Sequence, residues 1–177
     1  SYIYLPSIIY LFSLQSYAVN APHQNLLRIN VGFLLNQPVG TTRDIHFETQ
    51  NLSFSNDLTL VDFSGILRLG RTPQGLLAQG EFGAFLMMEC VRCLSKYHQS
   101  LHINFSELYA FRNKPISDSG LTIPGDWKID FSPLVREYML LEVPIKPLCH
   151  PNCKGLCIEC GANLNEILCE HALAKPD

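Results

Sequence analysis

Charged residues are missing from the first 27 positions, and cysteine is missing until position 90. Without lysine or arginine, the amino-terminal stretch lacks the basic opening of a secretory signal peptide. Its apolar run from Ile8 to Leu14 is flanked by Pro6, Ser7, Gln15 and Ser16 and contains Ser13. A membrane span needs about 20 consecutive, mostly apolar residues. Residues 1–25 are therefore expected to be an extension or processed end, not a membrane anchor. Charge is scarce elsewhere too, at 16% of residues, and 13 Lys+Arg stand against 16 Asp+Glu for a formal net charge of -3. That balance excludes a protein that coats nucleic acid by bulk attraction, so any RNA contact has to use a local patch. No H-E-x-x-H metalloprotease signature, internal repeat or low-complexity run is found.

What the chain has is apolar material in a regular arrangement. With 47% hydrophobic residues in 177, it can bury a core of one domain with a small appended module. Arg28 to Leu35 reads as a strand running into a helical turn, closed by Gln37-Pro38-Val39-Gly40. A strand is expected over 42–49 and a loop over 51–56. Val61, Phe63, Gly65, Leu67 and Leu69 share one parity against Asp62, Ser64 and Arg68, the period of a half-buried strand. After a Pro-Gly turn at 71–75, Leu76, Ala78, Phe82, Ala84, Leu86 and Met88 face away from Gln79, Glu81 and Glu89. A third strand sets Leu101, Ile103, Phe105, Tyr109 and Phe111 against His98, Ser100, His102 and Asn104. Short connections favour an antiparallel meander. Residues 113–125 read as a surface loop and 127–129 as a short strand. Ser132 as N-cap and Pro133 at the first helical position start a helix with the apolar stripe Leu134, Val135, Tyr138, Met139 and Leu141. The expected fold is α+β: an antiparallel β-meander sheet packed by one or two helices, with a cysteine-rich zinc-knuckle C-terminal segment. The expected division is an extension over 1–25, a core domain over 26–148 and a docked metal-binding tail over 149–177.

All seven cysteines fall in two places, Cys90-x2-Cys93 and Cys149-x3-Cys153-x3-Cys157-x2-Cys160-x8-Cys169-x-His171. An odd count and closely spaced pairs favour metal over a secreted disulfide framework. Seven thiols and the His171 imidazole supply eight donors, enough for two tetrahedral zinc sites with no coordination position left open. Such a donor count points to structure and binding. The sets expected are Cys90, Cys93, Cys149 and Cys153 for one site, and Cys157, Cys160, Cys169 and His171 for the other. Spacing alone lets Cys153 and Cys157 exchange roles, and leaves His171 the alternative of a solvated side chain near the chain end. Cys90 and Cys93 could also form a redox pair, although no βαβ context surrounds them. His98 and His102 lie on the polar strand face, and His150 breaks the ligand spacing. Arg92, Lys96, Lys146 and Lys154 flank the cysteines. They suit either an RNA-phosphate patch or compensation of a four-thiolate centre of charge about -2.

Residues 27–43, 65–80, Cys90-Val-Arg-Cys-Leu94, 130–149 and the CKGLCIECGANLN stretch over 153–165 together resemble the YceD family, the large ribosomal RNA subunit accumulation proteins. The resemblance runs to about residue 171. It implies a non-catalytic, cytoplasmic ribosome-biogenesis factor supporting accumulation of 23S rRNA and assembly of the large subunit, partnered by that RNA or by large-subunit ribosomal proteins. Cysteine-rich members of the family usually end on C-x-C, where this chain has Cys169-Glu170-His171. Histidine is also a good zinc ligand, so the site is compatible with the departure. The alternatives are a thiol redox or zinc-dependent enzyme and a zinc-ribbon adaptor of another protein complex.

Overall fold

The computed structural model describes residues 26–54, 57–112, 114 and 120–173; the expected extension over 1–25 lies outside them. Four long strands, β2 (Thr42–Phe54), β3 (Leu58–Arg71), β4 (Gly75–Glu89) and β5 (Lys96–Ala110), form one antiparallel sheet in chain order. This is the expected meander. Period-2 alternation buries Leu67, Leu69, Leu76, Ala78, Phe82, Leu101, Ile103 and Phe105 and turns Arg68, Gln79, Glu81 and His102 outward. The turn between β3 and β4 is closed by Thr72, whose amide donates to Gly75 O at 2.9 Å and whose hydroxyl donates to the same oxygen at 3.1 Å.

Three local expectations are corrected. The predicted loop over 51–56 is strand as far as Phe54, because Leu52 and Phe54 are buried and alternate with exposed Asn51 and Ser53, on the opposite parity to Phe47; positions 55 and 56 lie outside the described residues. In β3 the parity is not continuous: Leu60 is buried while Val61 is only half-buried. Asp62 takes φ 50, and the pairing with β4 slips by one residue between Val61 and Ser64. A β-bulge of this kind adds one residue to one strand and reverses which parity faces the core. Third, part of the predicted loop over 113–125 returns to the sheet edge. Ala110 N donates to Leu121 O and Ile123 N donates to Ala110 O, with Ile123 buried.

The core lies between one face of this sheet and a layer built from the chain's two flanks. β1 (Arg28–Asn30) pairs antiparallel with β6 (Lys128–Asp130), so residues a hundred positions apart make a separate two-stranded sheet. Behind β1, the short α1 (Gly32–Leu35) buries Leu34. Behind β6, α2 (Ser132–Leu141) buries Val135 and Met139. Tyr138 joins it to β5 through a ring contact with Phe105 at 5.3 Å and a hydroxyl donated to Glu107 Oε1 at 2.9 Å. Ser132 is not the cap: Phe131 holds that position, buried in the core, and Asp130 Oδ1 accepts the Ser132 amide at 2.9 Å. Leu141 is not on the buried stripe either, being 74% exposed. None of the described helices is long and apolar enough to cross a membrane.

Tyr109 packs edge-to-face on Phe131 with ring centroids 5.4 Å apart. Burial, with the carboxylates of Glu107 and Asp130 adding to it, pushes its phenol up to about 12 from the ordinary 10.0. Because the folded value is the higher one, this group contributes stability in full below pH 10.0 and loses it as pH rises towards about 12. Titration of phenolate absorbance is expected to include a late step from Tyr109, with alkaline unfolding across that window. A Tyr109→Phe variant should lose the late step.

Candidate metal centres

Each C-x-x-C segment forms the same kind of turn. In the first, Leu94 N donates to Cys90 O at 2.9 Å and Leu94 takes φ 58; in the second, Gly161 N donates to Cys157 O at 2.8 Å and Gly161 takes φ 71. A left-handed residue directly after the second cysteine turns the backbone amides of the loop inward, towards the sulfur of the first. The first turn lies between β4 and β5, so the sheet itself holds it. The residues leading into the tail, and the tail itself, then reach it through backbone bonds: Val91 N to Pro147 O at 3.0 Å and Leu156 N to Arg92 O at 3.1 Å. Arg92 Nη1 adds a bond to Cys153 O at 2.9 Å.

These contacts bring together the sulfurs of Cys90, Cys93, Cys149 and Cys153, and separately the donor atoms of Cys157, Cys160, Cys169 and His171. Within each group all four donor atoms lie within 4.8 Å of one another, so two groups among the described residues could hold a metal ion. All seven cysteines are free thiols. In the first, inner group, Cys90 and Cys153 are 3.8 Å apart and Cys93 and Cys149 3.6 Å apart, sulfur to sulfur. A tetrahedron with metal–sulfur bonds of about 2.3 Å has edges of about 3.8 Å. The donor set therefore fits a tetrahedral, thiophilic ion. Cys90, Cys93 and Cys153 are buried with Tyr97, Leu148 and Leu156 packed on them, while in the outer group Cys160 and His171 are exposed.

Electrostatics fit the same use. Burial pushes the Cys90 thiol up, but the amides of Cys149, Cys93 and Arg92 outweigh it and hold it at about 6. Cys157 is lowered to about 7 by the amides of Cys160 and Glu159. Cys149 goes the other way, to about 12, through burial and the neighbouring sulfurs. Four sulfurs at this spacing do not all ionise without a cation among them.

Arg92, Lys96, Lys146 and Lys154 are all exposed. Among them Arg92 is tied to the Cys153 carbonyl as well. His98 and His102 lie on the open sheet face and His150 is exposed, outside both donor groups. Sequence reasoning missed three residues of the centre. Gly155 takes φ 77, and a Cβ there would meet Arg92 O at 3.1 Å. Asn163 and Asn165 hold the tail loop together by side-chain bonds. The signals available were ordinary ones, a glycine and two turn-forming asparagines, with nothing to name their partners. Gly155→Ala is expected to cost about 1–2 kcal/mol from the left-handed backbone alone. Thermal unfolding measures it, and an unchanged midpoint would contradict the left-handed conformation of Gly155.

Residues 78–177 match the family described as "Large ribosomal RNA subunit accumulation protein YceD". An uncharacterized protein of Mycobacterium leprae is 30% identical over 105 residues, covering 55% of this chain and 47% of that protein. The chloroplastic large ribosomal RNA subunit accumulation protein YCED homolog 1 of Zea mays is 49% identical over 49 residues, 27% of this chain and 17% of its own. Its Arabidopsis thaliana counterpart is 27% identical over 137 residues, 60% of this chain and 43% of its own. The chain thus spans about half the length, or less, of these relatives. No solved structure matches.

Proposed function

This chain belongs to the YceD family of large ribosomal RNA subunit accumulation proteins, and from that premise we propose that it is a non-catalytic factor in biogenesis of the large ribosomal subunit. It supports accumulation of 23S rRNA, acting in the cytoplasm on that RNA or on large-subunit ribosomal proteins. Two structural zinc ions shape its binding surface. The observation that carries the metal part is the convergence of eight donor atoms in two groups of four, each within 4.8 Å. Cys90, Cys93, Cys149 and Cys153 hold one ion, and Cys157, Cys160, Cys169 and His171 hold the other. Thiolate and imidazole donors at tetrahedral spacing favour zinc over harder divalent ions. When bound, zinc supplies charge neutralisation and a rigid cross-link. With four protein ligands per ion, no position remains for a reacting substrate.

On this reading residues 26–148 are the core domain, and the tail from 149 onward is a module fastened to it by the inner ion. Arg92, Lys96, Lys146 and Lys154 form the patch for RNA phosphates, since all four are exposed beside the cysteine turns and phosphate contacts position a protein without reading sequence. The test is purification of the tagged full chain from its own cells, with bound RNA and proteins identified, beside rRNA quantification after deletion. Large-subunit rRNA or its proteins should co-purify, and deletion should lower large-subunit rRNA relative to small. Lys146→Glu with Lys154→Glu should weaken RNA recovery while leaving metal content intact. Recovery of neither large-subunit RNA nor protein, with the rRNA ratio unmoved, defeats the proposal.

A further inference from the structure

Asn165 lies between Cys160 and Cys169, in the loop that the outer donor group closes, yet its side chain reaches the inner group. Its Nδ2 donates to Cys153 Sγ at 3.3 Å and to Asn163 Oδ1 at 2.8 Å. Its Oδ1 accepts the amide of Lys154, the residue after Cys153, at 2.8 Å. Asn163 braces this arrangement: its Oδ1 also takes the Asn165 amide at 3.1 Å, and its Nδ2 donates to Glu166 Oε1 at 2.8 Å. Leu164 N donates to Gly155 O at 2.9 Å. Every donor hydrogen of the Asn165 amide group is used, one of them on a sulfur of the other site.

We infer that Asn165 is a positioning residue for the inner site and couples the two metal sites, so that closing the outer site strengthens metal binding at the inner one. The inference rests on the metal reading above. Four thiolates around one divalent ion leave excess negative charge on sulfur, and an N–H donor aimed at Cys153 relieves it. Partners of this kind behind a metal ligand typically alter affinity by about 10–100-fold. The hydrogen bond requires the 163–165 turn to be ordered, and ligation of Cys157, Cys160, Cys169 and His171 orders it. Ordering supplied by one site need not be supplied again by the other, and such coupling is reciprocal.

The experiment is Co2+ titration of the reduced, metal-free full chain against a competing chelator, because four-sulfur and three-sulfur-one-nitrogen sites have separate ligand-field bands. Asn165→Asp keeps an acceptor for the Lys154 amide and removes the N–H donor, whereas Asn165→Leu removes both. Each is expected to keep two equivalents, to weaken the inner site about 10–100-fold, and to move its sulfur-to-cobalt charge-transfer band to lower energy. A residue serving only to hold the loop would leave that band in place. His171→Ala should weaken the inner site in the parent chain but add little in the Asn165→Leu background. Unchanged inner affinity and band position in both Asn165 variants overturn the inference while leaving the metal reading standing. Equal effects of His171→Ala in both backgrounds overturn the coupling. Failure of the parent chain to bind Co2+ removes the metal reading and the inference together. Should Asn165→Leu not fold, the aspartate variant decides by its band.

Discussion

Cys90→Ser is expected to lower the metal content from two equivalents to one and to free the tail from the sheet. Cys90 is the most enclosed of the sulfurs, fully buried at the end of β4, and it shares its group with Cys149 and Cys153 from the far end of the chain. Apparent binding free energies of structural zinc sites are about 10–16 kcal/mol near neutral pH, comparable with the whole stability of a typical domain, about 5–15 kcal/mol. The backbone bonds that dock the tail and the residues leading into it, Leu156 N to Arg92 O and Val91 N to Pro147 O, contribute only about 0.5–1.5 kcal/mol each. An ion held by these four sulfurs would therefore dominate the docking. Hydrogen exchange at the Val91 and Leu156 amides reads this directly: protection should fall in Cys90→Ser, and in the parent chain after chelation under reducing conditions. Cys157→Ser should also cost one equivalent, yet keep those two amides protected, because the inner group retains its four sulfurs. A Cys90→Ser protein that still carries two equivalents, or a metal-free parent chain with both amides protected, would sink the idea that an ion fastens the tail.

How far the chain could be read in advance divides along sequence distance. Alternation in β3, β4 and β5 is a local property, and it gave the meander with little ambiguity. The candidate donors were also legible, because a C-x-x-C pair is half of a tetrahedral site and the remaining donors are few; their division, with Cys153 in one group and Cys157 in the other, was left open by spacing. What stayed hidden depends on partners far along the chain. Arg28–Asn30 carries no sign that it pairs with Lys128–Asp130, since three residues are too few to show a period. The bulge at Asp62 reverses the parity of Val61, and an aspartate with φ 50 leaves only a weak compositional mark, because Asp is enriched at positive φ but far more often lies at negative φ. Asn165 is the clearest case at the site. Its composition says turn, and only the folded tail shows that its amide points at a cysteine sulfur. Leu141 shows the opposite error, an apolar residue in helical register that the sheet does not reach.

Phe82→Ala is expected to destabilise the core domain by about 3–5 kcal/mol, the range for truncating a buried aromatic. Phe82 is 2% exposed and touches three other rings: Phe63 stacked at 5.2 Å, Phe47 at 5.8 Å and Phe105 at 6.1 Å. Its surroundings cannot close over the gap. The ring lies over glycines: a Cβ on Gly65 would meet Phe82 Cδ1 at 2.5 Å, and one on Gly80 would meet Phe82 Cε2 at 2.7 Å. Neither position has a side chain to move in, and the cost of a cavity rises with how little the site collapses. The upper half of the range is therefore the expected one, with a midpoint fall on the order of 10 °C for a domain of this size. The inner-group thiols form a cluster separate from this core, and the outer group is not part of the core either, so folded Phe82→Ala should still carry two equivalents of metal and keep its tail amides protected. That pattern is the reverse of Cys90→Ser, which strips the tail while the sheet and its aromatic core persist. If Phe82→Ala loses metal in step with its loss of stability, sheet and tail unfold as one unit, and the ion serves the core as well as the docking.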